Sequence, residues 1–135
     1  MNDADASSNP IESAVEHARH ALSAVDPDDP GTALPRLREA QELITAAIDE
    51  AMAAVVVDGE TLRGAGAMAG LSENAVGPRL ARTRTLAAYQ SEDGRVTAAG
   101  VERARYDVEQ GRHQPLPPGA APPAPMRFRP RRPNN

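Results

Sequence analysis

The chain has 135 residues, the size of one small domain, and it lacks Cys, Trp and Lys, which excludes disulfides, thiolate metal sites and a cysteine nucleophile. No apolar run approaches the ~20 residues that span a bilayer, and the acidic, polar start MNDADASSNP is the opposite of a secretion signal, so the expected location is the cytoplasm. The net charge of −4 hides an asymmetry: residues 1–60 hold 13 Asp/Glu against 3 Arg, whereas residues 61–135 hold 6 against 12. With aromatics at 2%, the core has to be built from Ala, Val, Leu, Ile and Met.

Residues 1–9 read as a disordered N-terminus. Asn9-Pro10-Ile11-Glu12 then starts a helix, with Asn as cap, Pro at the first position and Glu three after the cap. Ile11, Val15, Ala18, Leu22 and Val25 follow at helical spacing. The segment Asp26-Pro27-Asp28-Asp29-Pro30-Gly31 is expected to stop it with a stiff acidic loop. A longer helix is predicted from about Leu34 to Val57, ending at Asp58-Gly59. Residues 10–59 would thus form an acidic helical hairpin for packing or dimerisation. The longer helix is the candidate surface for a homodimer.

Residues 60–111 carry the most informative pattern. Leu62 to Leu80 reads as two short helices joined by a tight turn, the layout of a helix-turn-helix. Gly70 can take the left-handed conformation needed at a helix end. Leu71 follows as a buried plug, and Ser72 can cap the next helix. Small Ala65, Gly66 and Ala69 let the helices approach, while Val76 and Leu80 give the second one a core face. That second helix is expected from Glu73 to about Tyr89. Gly77-Pro78 interrupts it, so it either kinks there or begins only at Pro78 with 71–77 as a long loop. A turn at Ser91-Glu92-Asp93-Gly94, extended Arg95-Val96-Thr97 and a last helix of about Ala98 to Gln110 complete the region.

This order, carried by Gly70, Leu71, Ser72, Val76, Leu80 and the DGRVTAAG stretch, resembles the helix-turn-helix and winged-helix regulators of bacteria. The resemblance implies an all-α fold with a vestigial wing, since few residues separate Tyr89 from Val96. It also implies that the helix opening at Ser72 enters the major groove of duplex DNA. Ser72, Glu73 and Asn74 would then read base edges, Asn74 by pairing with adenine and Glu73 by accepting from cytosine. Arg79, Arg82 and Arg84 would reach flanking phosphates, with Arg95 on the wing turn.

Residues 112–135 read as a disordered Pro/Arg-rich tail. Its Arg127, Arg129, Arg131 and Arg132 would lie along DNA, serve as a solubilising end, or fold back on the acidic half. His17 and His20 beside Glu16 have a spacing that zinc sites use, but no third and fourth ligand is evident, and His113 at the mouth of the tail is expected to be isolated. Catalysis has little to build on. Gly64-Ala65-Gly66 is too short for a phosphate loop, and the Asp49-Glu50 pair is expected on the wet face of its helix. The reading is a non-enzymatic DNA-binding regulator without cofactor. The alternative is an adaptor or antitoxin-like protein whose Arg-rich half binds an acidic protein partner.

Overall fold

The computed structural model describes residues 9–117, and within them the fold is all-α. Helix α1, Pro10–Ser23, begins where the Asn-Pro start places it, with the Asn9 side chain accepting from the Ile11 N–H at 2.9 Å. Helix α2, Pro30–Val57, starts four residues before the expected Leu34. The reason is the same device: Asp29 caps it by accepting from Thr32 N–H, and Pro30 occupies the first helical position, where a missing N–H costs nothing. At 28 residues α2 is about 42 Å long.

Alanines line the seam between α1 and α2. Ala18 and Ala21 on α1 and Ala33 and Ala40 on α2 are buried, and their small side chains let the two helices lie close. The far half of α2 belongs to a different core. Its Met52, Ala53 and Val56 pack with Ala65, Val76, Leu80, Leu86, Val96, Val101 and Ala104. One helix, ending at Val57, therefore packs both with α1 and with the residues expected to form a separate 60–111 region.

Helix α3, Leu62–Ala69, follows the sequence expectation and is capped by Thr61, whose hydroxyl accepts from Gly64 N–H at 2.9 Å. Gly70 adopts φ 74°, ψ 28°, and its N–H bonds Ala67 O while Leu71 N–H bonds Gly66 O at 2.8 Å. Both orphan carbonyls at the helix end are thereby satisfied in a Schellman closure, which only a left-handed residue permits. Helix α4, Glu73–Leu80, crosses α3 closely: a methyl placed on Gly66 would lie 2.8 Å from Val76 Cγ2 and 3.1 Å from the Leu71 carbonyl.

Helix α4 starts at Glu73, as expected, and runs through Pro78, so the alternative of a long loop at 71–77 does not hold, and one expectation about its end needs correction. It stops at Leu80 rather than near Tyr89. There the Thr83 hydroxyl donates to Leu80 O at 2.6 Å and accepts from Leu86 N–H, and the Glu50 carboxylate takes the Arg84 N–H at 2.5 Å. These side chains offer the backbone partners outside the helix, and the chain turns through 81–86 into a short 3₁₀ segment, Ala87–Tyr89.

The wing is a closed turn, with no strand among the described residues. Ser91 N–H reaches Arg95 O at 2.8 Å, Gly94 takes φ 78°, and Val96 N–H bonds Gly77 O at 3.0 Å. This docking explains the Gly77 that interrupts the helix pattern: a methyl there would sit 3.1 Å from the Val96 carbonyl. Helix α5, Ala98–Glu109, is capped by Thr97 and closes the core with Val101 and Ala104. Its Arg105 reaches back to α2, donating from Nε and Nη2 to Val56 O at 2.9 and 2.7 Å and from Nη2 to Glu60 O at 2.9 Å. A cation thus caps the carbonyl end of α2.

Candidate nucleic-acid interface

The first turn of α4 stands out in water. Ser72, Glu73 and Asn74 are all exposed, while Val76 and Leu80 on the opposite side are fully buried. Helical geometry puts Asn74 and the exposed Pro78 on the outward stripe. Ser72 has the extended backbone of a cap but makes no side-chain capping bond, contrary to the role expected for it. Its backbone carbonyl instead accepts from the Ala75 N–H at 3.0 Å.

The four arginines assigned to phosphates divide into two kinds. Arg79 lies over α2, its Nε donating to Asp49 Oδ1 at 2.6 Å, with side-chain exposures of 20% and 9%. Arg84 is held at both ends: its N–H goes to Glu50, and its Nε donates to Leu116 O at 2.7 Å. Neither guanidinium is displayed as a free phosphate contact. Arg82 and Arg95 are exposed, Arg95 with a loose 3.6 Å pair to Asp93 on the turn. Arg63 on α3 is a further exposed cation the sequence reading passed over.

The reason lies in α2. Asp49 and Glu50 were expected on a wet face, but both are buried. Asp49 is in phase with Met52, Ala53 and Val56, the i, i+3, i+4, i+7 pattern of the core face, and that spacing was the available signal. Burial pushes the Asp49 carboxyl above its ordinary value of 3.8, and the hydrogen bond and charge of Arg79 oppose the rise without cancelling it. Glu50 is satisfied by Arg84 N–H and by the Thr85 hydroxyl at 3.2 Å. A buried carboxylate demands donors, and the nearest are the arginine segment that follows α4. Arg82 flanks a 470 Å³ groove whose other walls include Glu42, Asp49 and Glu50.

His113 is not isolated. Its Nε2 lies 2.8 Å from Thr85 O, and its ring stacks on Tyr89 at 5.8 Å between centroids. The Tyr89 hydroxyl donates to Asp107 at 2.6 Å, and burial, then this bond and the Asp107 charge, push the phenol up to about 12. Leu116 N–H bonds Arg84 O at 2.9 Å, so residues 113–116 at the start of the expected disordered tail are docked on the 84–89 segment. Arg127, Arg129, Arg131 and Arg132 lie outside the described residues, as do 1–8 of the expected N-terminal tail. His17 and His20 are exposed, with Glu16 paired to Arg19.

The fold and this site define an all-α protein with an exposed helix start set on a rigid two-helix corner. Comparison of the chain with protein-family models, curated proteins and solved structures finds no match. No helix among the described residues is long and apolar enough to cross a membrane.

Proposed function

We propose that the protein is a cytoplasmic, non-enzymatic DNA-binding protein of the helix-turn-helix kind, acting without a cofactor as a transcriptional regulator or accessory factor. The observation that carries this reading is the presentation of Ser72, Glu73 and Asn74 on α4, whose position is fixed by the left-handed Gly70 and the close Gly66–Val76 crossing. Asn74 reads adenine and Glu73 accepts from cytosine N4, with the unbonded Ser72 hydroxyl free for either role. Arg82 and Arg95, with Arg63 from α3, hold phosphates. Arg79 and Arg84 act as positioning residues that brace the reader on α2.

A titration of mixed-sequence duplex DNA at two salt concentrations tests this. Binding should weaken as salt rises, and Arg82→Ala with Arg95→Ala should flatten the log–log slope by about 0.9 per lost contact. Asn74→Ala should leave the slope unchanged and reduce discrimination between sites. Truncation after Pro117 keeps the docked segment and measures the contribution of the distal arginines. An affinity indifferent to salt, or no binding, removes the DNA reading.

A second reading rests on a specific observation. Arg79 is committed to Asp49 and Arg84 to Leu116, leaving a thinner field of free cations than the charge asymmetry implies. A thin cationic field is better matched to the few acidic groups of a protein partner than to a duplex carrying a charge every ~1.7 Å, which favours an adaptor that clasps an acidic protein partner. Such a protein would ignore DNA and form a stoichiometric complex with that partner.

A further inference from the structure

The α1–α2 hairpin keeps its alanines inside and its large aliphatic residues outside. Leu34, Leu37, Ile44 and Ile48 of α2 are 70%, 45%, 44% and 38% exposed. With Gln41 they follow a 3-4-3-4 spacing that continues through Ala51 and Val55, the heptad seam of a coiled coil. At about 100° per residue this seam lies roughly a quarter-turn from Ala40, which faces α1. From Leu34 to Ile44 it is also separate from Asp49, Met52, Ala53 and Val56, which face the α3–α5 core; farther along, Ile48 and Ala51 border α3 at Met68, and Val55 packs against that core. On α1, Val15 and Leu22 are 40% and 46% exposed. They are rotated in the same sense from Ala18, and because α1 runs antiparallel to α2, that rotation brings them to the same flank. The hairpin therefore offers one two-helix apolar face.

We propose that this face binds a second copy of the chain, forming a two-fold four-helix bundle from two hairpins. Three observations single out that occupant. The 3-4 seam is self-complementary, and its one polar position, Gln41, lies inside it, where a polar residue sets register. The seam from Leu34 to Val55 contains no charge, so two acidic hairpins can meet without opposing carboxylates. Glu39 and Glu50 lie on the opposite flank, and the Arg38–Glu42 and Arg19–Glu16 pairs put both signs on the surrounding exposed surface. Finally, the exposed aliphatic surface amounts to roughly 500 Å² per chain at ordinary side-chain areas, and with Gln41, Ala51 and a polar rim it approaches the ~800 Å² per partner of a standard interface. The chain's own distal segment is a poorer fit, since it departs beyond Leu116, beside Arg84 on the Glu50 flank. The proposal is independent of the DNA reading.

Sedimentation of the full chain at micromolar concentration, without DNA, tests it. The expected particle has about twice the 14.2 kDa chain mass. Leu37→Glu with Ile44→Glu should weaken association at least about 100-fold while circular dichroism stays helical. Glu39→Lys, on the opposite flank, should stay dimeric. Because the chain has no Cys, Gln41→Cys gives an unambiguous label that a short bismaleimide should join into a covalent dimer, whereas Glu39→Cys should not be joined. The Cys variants keep the test decisive if the glutamate variant fails to fold. A wild-type monomer at 100-fold higher concentration, a dimer that survives the glutamate pair, or equal cross-linking from residue 39 would overturn the proposal.

Discussion

Replacing Arg79 with Met removes the guanidinium from Asp49 and leaves a carboxylate that is 9% exposed with only the unbonded charge of Arg82 near it. Breaking a buried pair from one side costs about 3–5 kcal/mol. Arg79 retains 20% side-chain exposure, so water can partly replace it, and the expected loss is about 2–3 kcal/mol. The carboxyl can also escape by taking a proton, which at pH 7 costs an ordinary carboxyl about 4 kcal/mol and so caps the damage. For a folded unit of this size the loss corresponds to about a 10 °C fall in Tm. Urea unfolding followed by far-ultraviolet circular dichroism is the suitable assay, since the chain has helices but no Trp. Adding Asp49→Leu to Arg79→Met should return stability to within about 1 kcal/mol of wild type, because an apolar pair of similar volume carries no desolvation penalty. With Asp49→Leu alone costing nothing or more, the cycle then yields a coupling of at least about 1 kcal/mol. Additive effects, or a loss below about 0.5 kcal/mol for Arg79→Met alone, would refute the bracing role.

Asp49 also sets a pH dependence of unusual sign. Its carboxyl is raised in the folded protein, so the native state holds that proton more tightly than the unfolded chain, and this contribution is fully present below pH 3.8 and is lost as pH rises through the folded value. Asp49→Asn cannot ionise, so its stability relative to wild type should increase across that window and then level off. Urea midpoints between pH 3 and 7 measure this, and a relative stability that declines with pH contradicts it. Gly66→Ala should cost about 1–2 kcal/mol, because the added methyl meets a stiff valine and a backbone carbonyl at 2.8 and 3.1 Å. A gain in unfolding free energy, which helix propensity alone demands, would show that α3 and α4 do not cross so closely.

Local signals in the sequence were faithful where one or two residues decide the backbone. Asn9-Pro10 starts α1, Gly70 ends α3, and Thr97 precedes α5. Asp29-Pro30 carried the same start signal for α2, but it sat inside an acidic run that also reads as a loop. The end of α4 was hidden for a different reason. It depends on Glu50, which is 34 residues away in the chain and captures the Arg84 N–H. Periodicity within 73–89 contains no trace of that competitor. The exposed start of α4 was legible from the turn and the core positions Val76 and Leu80. The fate of Arg79 and Arg84 was not, because it follows from treating Asp49-Glu50 as a hydrated pair when its phase with Met52 and Val56 marked it as interior. Docking of His113 and Leu116 likewise rests on tertiary partners that no local motif announces.

Helix α2 runs unbroken from the alanine seam into the core beneath α4. The hairpin and the core beneath α4 are thus joined through one continuous helix, whose internal Pro35 lies in its second turn. A one-residue insertion near its middle would swing one end by about 100° and advance it 1.5 Å relative to the other. Hairpin and corner are therefore phased by the residue count of this rod, and its length constrains the sequence as firmly as any side chain at either end.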